Sequence, residues 1–318
     1  MRRAVGSHAR DTPLLPAEEL SSAVGRPVYL KAECLQVTGS FKVRGSAARL
    51  EALSEEERRR GIVACSSGNH GKAVAFVAGR LGIPATVFVP EWVDPVKLDG
   101  IRSAGAEARA EGETFDESEA RALALAAETG RAYVSAYDDP YVIRGQGSIA
   151  AEIVDALGRP PAAVLAPLSG GGLIGGIAMT FDALDGPRPH IVAVSARNAA
   201  VMLASLHAGK PVELPEEDTL ANALAGGIGL DNRHSFELVR HRVDAHVEVS
   251  EADIARAMLY GLERLRLVVE GGGAVALAAV LADHWRPDPT LPDGPVVIVV
   301  SGGNVSSETL LGLSEDRP

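Results

Sequence analysis

Ile62-Val63-Ala64-Cys65-Ser66-Ser67-Gly68-Asn69-His70-Gly71, followed by Lys72 to Leu81 and then Ala85-Thr86-Val87-Phe88-Val89, decides how this chain folds. The four apolar residues that open it read as a buried strand. A polar, glycine-containing turn follows, and apolar residues at helical spacing then run from about Asn69 to Leu81. Ala85–Val89 is a second strand. The order strand, helix, strand gives a parallel pair, because the helix returns the chain to the same end of the sheet.

The pattern continues outward. Helices are expected over 95–104, 117–129, 147–157, 172–184 and 198–208. Strands are expected over 132–135, 162–166, 191–195, 247–249 and 295–300. The last of these is a run of β-branched residues suited to a strand buried on both faces. Ser250 and Asp253 form a capping box at the start of a further helix. Two strand–helix series, separated by the turn cluster Asp138-Asp139-Pro140, predict an α/β protein with two lobes. Each lobe is an open, mostly parallel sheet flanked by helices.

Composition narrows the function. The chain has 318 residues and a net charge of −11, which argues against a general nucleic-acid surface. Cys34 and Cys65 are too few for a disulfide framework and read as buried small apolar residues. The histidines form no metal-ligand spacing. No apolar run reaches the length of a membrane span, and Met1-Arg2-Arg3 opens no secretion signal, so a cytoplasmic protein is expected. The charged run 55–60 reads as a solvated helix face.

Four glycine-rich or polar turns carry the chemistry. Lys42, flanked by Phe41 and Val43, sits in a turn bounded by Gly39 and Gly45. Partial desolvation there makes its amine nucleophilic near neutrality. Ser66, Ser67, Asn69 and His70 follow a strand and open a helix, whose free first-turn N–H groups favour a carboxylate. Ser169-Gly170-Gly171-Gly172-Leu173 does the same after 162–166 and suits a phosphate. It lacks the spacing of a nucleotide P-loop or a dinucleotide fingerprint. Ser301-Gly302-Gly303-Asn304 ends the buried strand at the sheet's carboxyl edge, where ligands bind. Glu270 adds a carboxylate before a glycine run. Plain helix caps and tight packing turns would explain any one segment alone. Together they describe a pocket for a phosphorylated aldehyde cofactor and an amino acid.

In this order these segments, with Lys31-Ala32-Glu33 and Gly145-Gln146-Gly147-Ser148-Ile149, resemble the pyridoxal-phosphate enzymes of the tryptophan-synthase-β (type II) fold. The pattern is similar to threonine/serine dehydratases and serine racemases over nearly the whole chain. The resemblance implies pyridoxal 5′-phosphate in the cleft between the lobes, with 1–45 and 140–318 as the cofactor-binding domain and 46–139 as a mobile substrate domain. It implies Lys42 as the Schiff-base lysine, Phe41 near the ring and Asn69 on the cofactor's phenolic oxygen. Ser66, Ser67, Asn69 and His70 would hold the substrate carboxylate. Gly170, Gly171, Gly172 and Leu173 would cradle the phosphate, although Ser169 replaces the usual first glycine. Ser301 would partner the pyridine nitrogen, Glu270 would face the cofactor, and Ser67 also matches the second acid/base of racemases.

The stretch Ser195 to Val201 lacks the Glu and Asp of the family's cation site, so no metal is expected there. That stretch, with Gly226 to Arg233, is more similar to the hydroxyectoine-utilisation and β-hydroxyaspartate dehydratases. The sequence ends soon after Asn304, so feedback through a C-terminal regulatory domain like that of biosynthetic threonine dehydratases is not expected. The implied activity is an α,β-elimination on a small β-hydroxy amino acid, in a homodimer without membrane or nucleic-acid partners. Racemisation, β-replacement and non-catalytic cofactor binding are the alternatives.

Overall fold

The computed structural model describes residues 5–66, 68–91, 93 and 95–315. Among them the strands, in chain order, are β1 (Leu14–Pro16), β2 (Val28–Ala32), β3 (Ile62–Cys65), β4 (Ala85–Val89), β5 (Glu107–Ala110), β6 (Ala132–Tyr133), β7 (Ala163–Pro167), β8 (His190–Ala196), β9 (Ala245–Val249) and β10 (Val296–Val300). They build a six-stranded sheet, β1-β2-β10-β7-β8-β9, and a four-stranded sheet, β5-β4-β3-β6. Every pairing is parallel except that of β1 with β2.

The near-continuous apolar strands follow from burial on two faces. In β10, Val296, Ile298 and Val300 enter one core, while Val297 and Val299 enter the core on the other side. β7 alternates in the same way, with Ala163 and Leu165 against Val164 and Ala166. In the smaller sheet Ile62 and Ala64 face one cluster, and Val63 and Cys65 the other. Both cysteines are free and buried, and burial pushes each thiol up to about 12, as inert core residues require.

Several local expectations are met. The helix Asn69–Leu81 joins β3 to β4, and Ser250 caps the helix Glu251–Tyr260 with the reciprocal Asp253 bond. The 55–60 run is a helix with no buried residue, capped by Ser54 and Glu57. Others are corrected. The 132–135 strand shrinks to β6, and a 3-10 turn, Arg197–Ala199, precedes the helix Val201–Ala208. β1, β2 and β5 were not anticipated.

Lys42 does not lie in a turn. Gly39, at φ +78°, makes the turn, the Phe41 N–H is taken by the Ser301 carbonyl, and the helix Lys42–Glu51 begins at once. Gly45 is inside that helix. A Cβ built on it would lie 2.3 Å from Gln146 Nε2, so the glycine permits close crossing of the helix Pro140–Gln146.

The helix that carries Lys42 is anchored by buried charge. Arg44, fully buried, grips Glu33 through Nε (2.7 Å) and Nη2 (2.8 Å). It also binds Glu152 through Nη1 and Nη2, and Ser148 Oγ at 3.0 Å. Lys31 Nζ meets the same Glu152 at 2.5 Å and donates to the Thr12 carbonyl. Two cations thus balance two carboxylates, which is the condition under which such groups are tolerated away from water. The network ties β2, the Lys42 helix and the helix Ser148–Leu157 together.

Candidate active site

The carboxyl ends of β3, β7 and β10 meet, and the polar turns of the sequence come together there. One cleft is lined by Phe41, Lys42, Asn69, Gly170, Gly171, Gly172, Leu173, Glu270 and Ser301. Ala136, Tyr137, Pro167, Ser169, Ala223 and Leu224 complete it. Ser66 and His70 are not among the lining residues, and Ser67 lies outside the described residues.

Lys42 projects its Nζ to within 2.9 Å of the Ala136 carbonyl and 5.2 Å from the Phe41 ring centre. Burial lowers its pKa to about 8, and the Glu270 carboxylate opposes that shift. A substantial fraction of the amine is therefore neutral near pH 8. In the cofactor-free protein, capture of a carbonyl compound by Lys42 is expected to rise with pH and level off above about 8. Stopped-flow absorbance against pH reads this midpoint directly. A midpoint near the ordinary lysine value would mean that the amine stands in solvent.

The helix Gly172–Asp182 starts from Gly171 at φ +82°. Its first local bond runs from the Gly175 N–H to the Gly171 carbonyl, which leaves the N–H groups of Gly172, Leu173 and Ile174 without an intrahelical partner. Cβ atoms are excluded here. One on Gly170 would fall 2.2 Å from Tyr137 Cγ, and one on Gly171 2.8 Å from Val239 Cγ2.

On the opposite side Asn69 donates through Nδ2 to Glu270 Oε1 at 2.6 Å. The Glu270 N–H donates to the Gly302 carbonyl, and Gly302 has no room for a side chain beside Glu270 Oε1. Ser301 Oγ makes only a long bond, 3.4 Å, to the Gly272 carbonyl, so its hydroxyl is little engaged.

His70 is buried with Nε2 at 2.9 Å from the Val134 carbonyl. A carbonyl only accepts, so Nε2 carries the hydrogen and Nδ1 is the acceptor. Burial, reinforced by the Lys42 charge, lowers the ring pKa to about 3, and the imidazole is neutral at working pH. Ser66 Oγ accepts from the Gly68 N–H at 3.2 Å and stiffens the turn before the helix.

Four similarities to known proteins bear on this geometry. The family model for pyridoxal-phosphate dependent enzymes matches residues 5–302. The L-threonine ammonia-lyase of Thermotoga maritima is 40% identical over 92% of this chain and 71% of its own length. Maize serine racemase superposes with a TM-score of 0.90 at 31% identity, covering 99% of this chain and 94% of that one. Threonine deaminase isoform 2 of Solanum lycopersicum gives 0.88 at 34%, covering 98% and 84%.

The chain belongs to the family of pyridoxal-phosphate dependent enzymes.

The residues present fit the cofactor of this family. A nucleophilic lysine faces a glycine cradle with free N–H groups, as an aldehyde bearing a phosphate demands. As a pyridoxal-phosphate enzyme, the chain also shows a site residue that no motif signalled. Tyr137 stands against Gly170 and Gly172, where its ring narrows the cleft in front of the cradle. Burial and the carboxylates of Glu119, Asp138 and Asp231 hold its phenol far above the ordinary range, so it is a neutral donor. The Asp138 carboxylate beside it accepts from the N–H groups of Arg233, His234 and Ser235, which pins the crossing segment. Among the described residues no cluster of three or more His, Cys, Asp or Glu could hold a metal, and no helix is long and apolar enough to cross a membrane.

Proposed function

We propose that this enzyme is an ammonia-lyase that eliminates the β-hydroxyl of a small amino acid such as threonine or serine, yielding a 2-oxo acid and ammonia. The observation that carries this reading is the buried amine of Lys42, with a pKa near 8, facing the Gly170–Leu173 cradle across one cleft. The similarity to threonine ammonia-lyase and threonine deaminase supports it.

The residues would share the work as follows. Gly170, Gly171, Gly172 and Leu173 hold the phosphate through backbone N–H groups. Ser301 offers its hydroxyl to the ring nitrogen, Phe41 packs beside the ring, and the Asn69 amide donates to the phenolic oxygen. When bound, pyridoxal phosphate supplies an electron sink for the pair left by the α-carbon proton. Lys42 takes that proton at Nζ, which its depressed pKa makes possible near neutral pH. The N-terminus of the helix Asn69–Leu81, with Ser66 and Ser67, holds the substrate carboxylate, and His70, whose one N–H is spent on the Val134 carbonyl, braces that loop from beneath. The β-hydroxyl leaves with a proton as water, and a second water releases ammonia. Glu270 keeps a carboxylate beside Lys42 and Asn69. Residues 46–139, with their own sheet and core, would move to close the cleft against solvent.

Assay of 2-oxo acid from threonine, serine and 3-hydroxyaspartate, in both stereochemistries, tests the reading. Product from at least one of them is expected, and product from none would sink it. The similarity to maize serine racemase favours racemisation as a second activity, with Ser67 proposed as its second acid/base; chiral analysis of residual serine separates the two. The family resemblance further proposes a cytoplasmic homodimer, which sedimentation tests as to assembly.

A further inference from the structure

An asparagine can present either end of its amide to a ligand, and only its neighbours decide which. Asn69 has such neighbours. Asn304 Nδ2 donates to Asn69 Oδ1 at 2.6 Å, and also to the Thr38 carbonyl at 2.9 Å. Lys72 Nζ donates to Asn304 Oδ1 at 3.0 Å. The polarity of this chain is over-determined. The Thr38 carbonyl can only accept and the Lys72 ammonium can only donate, so Asn304 has one allowed orientation. Its two amide hydrogens are then both used, one on Thr38 and one on Asn69. That in turn makes Oδ1 of Asn69 face Asn304 and turns its NH2 group toward the cleft. One hydrogen of that NH2 goes to Glu270. The other has no protein partner among the described residues.

We propose that Asn304, backed by Thr38 and Lys72, is a positioning residue that locks the Asn69 amide donor-inward for the phenolic oxygen of pyridoxal phosphate. The proposal rests on the cofactor reading above and adds the residues that enforce it. An oxygen that carries negative charge is held by a donor and repelled by an amide carbonyl. A free amide would waste part of its population in the wrong orientation, and the relay removes that loss before the ligand arrives. Gly39 belongs to the device. A Cβ there would lie 2.3 Å from Asn304 Oδ1, so the close approach of the two turns requires glycine. The relay also bridges the two sheets, since Asn69 and Lys72 belong to the helix after β3 and Asn304 follows β10.

The test is Asn304→Asp, which keeps the shape but can no longer donate to Asn69. Asn304→Ala, which adds no charge, separates loss of the donor from any effect of the new carboxylate. The readouts are the affinity of the cofactor-free protein for pyridoxal phosphate and the ratio of the bound cofactor's visible to near-ultraviolet absorbance. Both variants are expected to bind about tenfold more weakly, the loss of one oriented hydrogen bond. The visible share is expected to fall, because an acceptor facing the phenolic oxygen favours its protonated form. In an Asn69→Ala background neither substitution should weaken binding further. Wild-type affinity and spectrum in both variants, or full additivity with Asn69→Ala, overturns the relay. A wild-type protein that binds no pyridoxal phosphate overturns the cofactor reading and the relay with it.

Discussion

Lys42→Ala abolishes the visible absorbance of the cofactor-loaded protein and lowers 2-oxo acid formation by about 10³-fold or more. Two losses combine. Among the described residues the one amine lining the cleft disappears, and with it the proposed covalent hold on the aldehyde. The group proposed to take the α-proton goes as well. Lys42→Arg is no remedy, because a guanidinium stays protonated and cannot serve as nucleophile or base at working pH. The fold is expected to survive the alanine change, since among the described residues the Lys42 amine makes a single hydrogen bond, to the Ala136 carbonyl. Absorbance of the variant after incubation with excess pyridoxal phosphate and removal of the unbound fraction is the measurement. A retained visible band, or activity within tenfold of wild type, would remove Lys42 from the centre of the chemistry.

Arg44→Met is the most damaging change expected away from the cleft. It strips both partners, Glu33 and Glu152, of a fully buried guanidinium, and among the described residues leaves Lys31, paired with Glu152, as the remaining cation of the network. Removing one member of a buried ionic set costs about 3–5 kcal/mol. Against a typical stability of about 5–15 kcal/mol, that is a large share. Urea unfolding of the cofactor-free protein reads it. Adding Glu33→Gln to the same chain should restore part of the loss, because the stranded charge is then gone. Arg44→Lys should not rescue, since three donors on a point charge cannot meet two carboxylates and Ser148 at once. Arg44 sits two residues beyond Lys42 on one helix, so activity is expected to fall even where the variant folds; a displacement of about 1 Å can cost about 100-fold. A variant within 1 kcal/mol of wild type would show that this network is not what holds the helix.

Much of the site was legible because its parts are local. A glycine that admits φ +82°, a serine at a strand end and a lysine between apolar neighbours can each be read from its own immediate neighbours in the chain. The cofactor-binding residues expected from those turns all line one cleft. Tyr137 was not legible. It lies on a crossing segment with no regular structure, and its place against Gly170 depends on Asp138 reaching the 233–235 turn, about a hundred residues on. β2 was hidden for a related reason. Lys31 interrupts its apolar run, and only the distant Glu152 makes a buried lysine acceptable there.

The alternation of strand and helix, the mostly parallel α/β architecture and the chemical character of each turn were written in the sequence, because hydrophobic period and backbone permissiveness act between near neighbours. Whether Lys42 would be proton-poor, and which way Asn69 would present its amide, were decided only in three dimensions. Desolvation and hydrogen-bond polarity depend on groups that folding brings together, and Asn69 meets Glu270 and Asn304 across separations of 201 and 235 residues.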